Sequence, residues 1–240
     1  MRRIACTLTA LLALALPAPA ALAAQPPQPF QADYEVLRNG ARVGEGSITL
    51  QRRADGRWEM TTRSEATGGL AGLAGFRREE RSLLAWSGDG FETIEYAMQQ
   101  QVAWKQRRES VQVEPAAGRV RSAWKDRQAD LPYQAGVLDK QAVAAALMAV
   151  LAGGRETGRL ALPVVARGTL EPQEYRFAAR VRLRTAIGEL RAVRVERGGR
   201  GDGRLTKMWF AREHGWLPLR IKQYEDDGEV VDMRIVRIRG

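Results

Sequence analysis

Few residues of this chain could carry acid–base chemistry. His214 is the only histidine and stands beside a carboxylate in Arg212-Glu213-His214-Gly215. A histidine next to a glutamate can move a proton. The segment lies between Trp209-Phe210 and Trp216-Leu217-Pro218, however, and reads as a polar hairpin turn, the reading we favour. Glu79 and Glu80 are adjacent, so on a strand they point to opposite faces. One of them could still meet a distant carboxylate, as glycoside hydrolysis requires. Pairing with Arg77, Arg78, Arg81 or a neighbouring strand accounts for both. Glu225, Asp226, Asp227 and Glu229 surround a glycine turn without the ligand spacing of a calcium loop, and read as a solvated hairpin tip. Neither a G-x-S-x-G nucleophile elbow nor a G-x-x-x-x-G-K-[ST] phosphate loop occurs. The sequence therefore assigns no catalytic residue, no metal ligand and no cofactor.

Composition narrows the class further. Of 240 residues 45% are apolar and 28% charged, which is the balance of a globular chain rather than a disordered one. One Cys and one His exclude a disulfide scaffold and a Cys/His zinc site. Residues 1–23 read as an export leader: Arg2-Arg3, an uncharged run from Ile4 to Leu16, Pro17 and Pro19, then Ala21-Leu22-Ala23 as a cleavage pattern. Cleavage near Ala23 would remove the only cysteine, which suits the oxidising bacterial periplasm. The net charge of +10 comes from cations scattered along the chain among Glu and Asp. With an export leader, that pattern argues against nucleic acid and for a solvated face or an anionic envelope surface.

The elements that must position any site are mostly strands. Residues 24–29 form a Pro-rich spacer, and 30–240 read as a single β-rich domain. Asn39-Gly40, Asp55-Gly56, Asp89-Gly90 and Asp227-Gly228 each sit between strand-like segments as hairpin turns. About eleven or twelve strands joined by short turns predict a curved antiparallel sheet forming an open barrel or β-roll. Val231, Met233 and Ile235 share one parity while Val236 and Ile238 take the other, which predicts a bulge between them. One helix interrupts the strands. Asp139 is its expected N-cap, Leu138 and Val143 its hydrophobic staple, and Gly153-Gly154 its stop. Ala142 to Leu151 is apolar on nearly every side, so the helix must pack against or inside the sheet.

Two features point toward binding. Thr67 to Phe76 (TGGLAGLAGF) is made of small and apolar residues, and exposed apolar patches usually have a partner. Leu70, Leu73 and Phe76 would then lie at the mouth of an apolar cavity facing Leu147 and Met148; a short turn packed on the barrel end is the competing account. The second feature is the cationic side of the strand around Tyr175, where Arg176, Arg180, Arg182 and Arg184 share a parity and would face anionic membrane or polysaccharide.

Several stretches together resemble a known family. They are Tyr34-Glu35-Val36 followed by Asn39-Gly40 and Gly44-Glu45-Gly46, then Thr67-Gly68-Gly69-Leu70 leading to Arg78-Glu79-Glu80-Arg81-Ser82. Leu138-Asp139, Tyr175-Arg176-Phe177, Met208-Trp209-Phe210 and Leu217-Pro218-Leu219-Arg220-Ile221 complete the set. These are similar to the bacterial exported family called domain of unknown function 3108, over roughly Phe30 to the end. The resemblance implies a secreted or periplasmic β-rich protein and brings no catalytic residues. The expected function is non-catalytic binding of an apolar or amphiphilic envelope ligand, in the manner of a lipid carrier. A structural or assembly partner of envelope proteins and a carboxylate-dependent hydrolase of envelope glycan are the alternatives. Oligomeric state is left open.

Overall fold

The computed structural model describes residues 26–68, 72, 75–88, 90–198 and 204–239. Among these, fifteen strands form one sheet. The first eight run as a meander: β1 (Phe30–Arg38), β2 (Ala41–Arg52), β3 (Trp58–Ala66), β4 (Arg77–Trp86), β5 (Phe91–Val102), β6 (Lys105–Glu114), β7 (Arg119–Trp124) and β8 (Arg127–Pro132). Then come β9 (Leu138–Asp139), helix α1 (Ala142–Ala152), β10 (Gly158–Ala166), β11 (Thr169–Thr185) and β12 (Gly188–Arg197). The last three are β13 (Leu205–Ala211), β14 (Leu217–Tyr224) and β15 (Val230–Arg239). The surplus over the expected eleven or twelve is in short pieces, such as the two-residue β9, which carry no readable alternation.

The spatial order is β8 to β1, then β15 to β9, so the first and last strands pair in the middle of the sheet. Every pairing is antiparallel except the two-residue contact of β9 with β10. The sheet does not close, because β8 and β9 end it separately. It curls enough to bring β9 against β5, where the Thr93 amide donates to the Val137 carbonyl at 2.9 Å. Among the described residues the chain forms the expected open, rolled antiparallel sheet, with helix α1 packed against it.

Local signals explain the register. Asn39 and Gly40 both adopt positive φ (50° and 85°), the conformation a two-residue hairpin needs. The expected bulge falls at Val236, where the β1–β15 register shifts between Asp33 and Tyr34. A second bulge lies in β2, between the partners of Val36 and Leu37. Beside it, Gly44 runs so close to β3 that a Cβ would overlap the Glu65 carbonyl oxygen. Tyr34 is buried, and its hydroxyl donates to the Pro218 carbonyl at 2.7 Å, tying β1 to β14 across β15.

Helix α1 fills the inside of the roll. Nine of its eleven residues are buried, and alanines let it approach the strands closely. Gly153 and Gly154 end it, their amides returning to Ala149 and Leu151 at 3.0 and 2.9 Å. Its N-terminus is held by four consecutive residues. Leu138 enters the core. The cap position is Gln141 rather than the expected Asp139, but the fully buried Asp139 carboxylate, two residues ahead, accepts the amides of Gln141 (2.8 Å) and Ala142 (3.0 Å) and so does the work of a cap. It also accepts the Ser82 and Thr93 hydroxyls, both at 2.9 Å, and so joins β4 and β5. Lys140 pairs with the inaccessible Glu109 of β6 at 2.5 Å. Gln141 donates through Nε2 to the Met60 carbonyl of β3 at 2.7 Å.

Burial pushes the Asp139 carboxyl up to about 6, against the four donors that hold it down. The folded protein thus binds this proton more tightly than the unfolded chain. Its contribution to stability grows as pH falls through 6 and is complete below about 4. Carboxylates held low by arginine, such as Asp33 and Asp232, oppose this trend. The stability difference between wild type and Asp139→Asn in urea isolates it. That difference should shift in favour of wild type by roughly 2–3 kcal/mol from pH 7 to pH 4. Asp139→Ala strips the cap and leaves buried donors unpaired, and should cost about 3 kcal/mol or more.

Gly44→Ala should cost roughly 1–3 kcal/mol by overpacking β2 against β3. Gly46→Ala should cost less, since its Cβ would meet the Arg63 carbonyl and the Met233 side chain only at 3.1 Å. Thermal unfolding of both variants checks the order.

Candidate functional site

A cleft of about 800 Å³ lies over β1 to β6 and β15. Register brings its side chains together. Directly opposed residues form a row across seven strands: Arg237, Asp33, Ser47, Arg63, Glu79, Gln99 and Arg108. Two residues along, Glu45, Glu65, Arg77, Gln101 and Gln106 form a parallel row. Alternation places both rows on the polar face of the sheet.

Ion pairs neutralise part of this surface. Arg237 and Arg239 hold Asp33 at 2.6 and 2.8 Å, and these partners, Arg239 foremost, keep its carboxyl below the ordinary range. Arg63 meets Glu79 at 3.1 Å, and Arg42 meets Glu45 at 2.7 Å. Arg77, Arg107 and Arg108 also line the cleft and have no carboxylate partner among the described residues. Gln99, Gln100, Gln101 and Gln106 add amide donors and acceptors beside them. The arrangement offers guanidinium forks and amides to an anionic, hydroxylated ligand.

The residues singled out from the sequence fall elsewhere. Leu70 and Leu73 lie outside the described residues. Phe76 is half-buried just before β4, and its carbonyl accepts the Ala66 amide at 3.0 Å. Leu147 and Met148 are wholly inaccessible within the core and line neither described cleft. The four arginines of β11 are exposed, with a bulge at Ala178 setting Arg176 apart from the rest. Arg176 pairs with Glu196, Arg180 with Glu156 (2.7 Å), and Arg182 and Arg184 with Glu189 (3.5 and 3.4 Å). Arg180 and Arg182 line a second cleft of about 380 Å³ together with Trp216.

The acid–base candidates separate likewise. Glu79 faces the cleft, whereas Glu80 pairs with Arg78 at 2.6 Å and accepts the Tyr96 hydroxyl at 2.7 Å. His214 sits in a 3-10 turn, Arg212–His214, and neighbouring Glu213 pairs with Arg191 at 2.8 Å. Glu225 to Glu229 form a hairpin tip closed by the Glu225 amide on the Glu229 carbonyl at 2.8 Å. Among the described residues no group of three His, Cys, Asp or Glu side chains gathers in a metal-holding cluster.

Comparison with known proteins places the chain. The family model described as protein of unknown function (DUF3108) matches residues 30–236. The chain belongs to the DUF3108 family. A crystal structure of a β-barrel-like DUF1849 protein from Brucella abortus superposes with a TM-score of 0.55 at 9% identity, covering 90% of this chain and 98% of that one. That likeness supports the fold. The MucA/MucB complex of Pseudomonas aeruginosa matches at TM-score 0.35 and 15% identity, over 88% of this chain and 51% of that chain. A protein of YmcC-like fold from Bacteroides fragilis matches at TM-score 0.31 and 8% identity, over 91% and 99%. No curated protein sequence matches.

The cleft itself went unread in the sequence of this DUF3108 member. Its one visible trace is the run Gln99-Gln100-Gln101 followed, past a hairpin, by Lys105 and Arg107-Arg108. Leu147→Ala and Met148→Ala separate core from ligand roles for the helix. As core residues each should lose about 2–5 kcal/mol of stability in denaturant titration, whereas a side chain lining an open binding site would cost far less.

Proposed function

We propose that this protein is an exported, non-catalytic binding protein of the bacterial cell envelope whose ligand is an anionic amphiphile, held by its headgroup in the cationic cleft. One observation carries the reading: Arg77 and Arg108 on the polar face, and Arg107 of the opposite parity beside them at the end of the sheet, line a cleft of about 800 Å³ without carboxylate partners among the described residues. An unpaired arginine fork is a standing invitation to phosphate or carboxylate, and Gln amides beside it suit the hydroxyls of a sugar or glycerol. The leader-like segment at residues 1–23 supports export. The helix packed inside the roll supports recognition on the outer polar face, with acyl chains left in their own membrane, rather than enclosure of a whole lipid.

Two measurements test this. The protein purified from the periplasm of an expressing bacterium is extracted with organic solvent and the extract read by mass spectrometry; an anionic amphiphile in the extract is the expected result. Short-chain, water-soluble dihexanoyl phosphatidylglycerol and dihexanoyl phosphatidylcholine are then titrated by calorimetry. The first should bind and the second should not. The triple variant Arg77→Gln/Arg107→Gln/Arg108→Gln should bind at least about tenfold more weakly while unfolding at the same temperature. Equal affinity of wild type and the triple variant would refute the proposal.

A further inference from the structure

Trp104 stands apart from every other large apolar side chain among the described residues. It is 87% exposed, whereas Trp58, Trp209 and Trp216 are buried and Trp86 and Trp124 half-buried. It occupies the tip of the β5–β6 hairpin, where Val102 pairs with Lys105 and Ala103-Trp104 forms the two-residue turn. The turn is held in one shape. Ala103 adopts φ 52°, a conformation disfavoured for residues other than glycine, and Gln101 donates through Nε2 to the Ala103 carbonyl at 3.2 Å. The hairpin is thus fixed while the indole at its tip packs on nothing in the fold.

The charges that follow the tip on β6, as far as Arg108, have one sign. Lys105, Arg107 and Arg108 follow on β6, all exposed and without a carboxylate partner among the described residues. Arg77 opens β4 and pairs in register with Gln101 at the same end of the sheet. The nearest residues on β5, Gln99 to Gln101, are neutral. A lone exposed tryptophan rimmed by unpaired cations complements a surface that is apolar a few ångströms below an anionic layer. Indole settles at the headgroup level of a bilayer, and Lys and Arg are drawn to anionic lipid.

We infer that the β5–β6 hairpin docks this protein on an anionic lipid bilayer, with Trp104 inserted at the headgroup level and Lys105 and Arg107 on the lipid phosphates. Docking there would set the cleft at the membrane surface. The inference stands on Trp104 and does not require that the cleft hold a headgroup.

The probe is a vesicle of phosphatidylglycerol mixed with phosphatidylcholine, beside a vesicle of phosphatidylcholine alone. The full chain should sediment with the first and not the second, and its tryptophan emission should shift to the blue. Trp104→Ala should lower the partition about tenfold and abolish the blue shift, with Trp104→Phe between it and wild type. Lys105→Gln should lower it about fivefold and flatten its salt dependence. Dihexanoyl phosphatidylglycerol should bind Trp104→Ala as it binds wild type, which separates docking from headgroup recognition. Arg77→Gln, placed in the cleft, should weaken that soluble lipid while keeping the vesicle-induced blue shift. Absence of vesicle binding by wild type, equal partition of Trp104→Ala, or binding without a change in emission would each overturn the inference.

Discussion

A single buried carboxylate holds the roll together. A rolled sheet that does not close needs something besides strand pairing to fix its curvature. Asp139 lies at one end of the sheet, on the two-residue β9, and its oxygens reach Ser82 and Thr93 on β4 and β5. The same oxygens start the helix. Desolvating an ionised carboxylate is costly unless its lone pairs are filled, and here four donors fill them. Removing any partner leaves a buried polar atom unmatched, so sheet curvature, helix start and strand spacing are coupled through one residue. Lys140 and Gln141 extend the clasp to β6 and β3, so four strands that pair side by side also converge on one short segment.

That clasp determines where function can sit. With the helix drawn inside, Leu147 and Met148 become core, and both described clefts lie where charged side chains line the surface. On the outer face the antiparallel register turns separate residues into rows. Asp33, Ser47, Arg63, Glu79, Gln99 and Arg108 come from six strands and span much of the first half of the chain, yet they are consecutive cross-strand neighbours. Cross-strand pairs of opposite charge stabilise a sheet modestly. Where a row ends in Gln and Arg without acid, the surface keeps an excess of positive potential.

Local features were legible in the sequence because they depend on near neighbours. Asp139 as the acceptor of the first helical amides, the Gly153-Gly154 stop and the Asn39-Gly40 turn each rest on a few adjacent residues. The Val236 bulge was legible because apolar parity switches there. The bulge in β2 left no such mark, since it falls beside Gly44 and Gly46, which have no side chains to show parity. The partners of the clasp were hidden by distance along the chain: Ser82, Thr93 and Met60 lie 57, 46 and 81 residues from the groups they bind. The cleft was hidden for the same reason. Each of its arginines, taken within its own strand, looks like an ordinary solvated position, and only the register shows that they are neighbours.

The arginines of β11 show why exposure alone is a poor guide to a docking face. They satisfied the sequence criterion of shared parity, yet each has a carboxylate within reach. Exposed pairs of this kind contribute little to stability, but they do cancel the field that an approaching anion would feel. Arg77, Lys105, Arg107 and Arg108 are equal in number and less conspicuous in sequence, and among the described residues none has a carboxylate ion-pair partner. They also adjoin the most exposed large apolar side chain of the described residues, Trp104. Charge without a partner and apolar surface without a partner meet at one hairpin. Each would be unremarked alone, and their adjacency gives this end of the sheet, rather than the arginine-richest strand, the character of a binding surface.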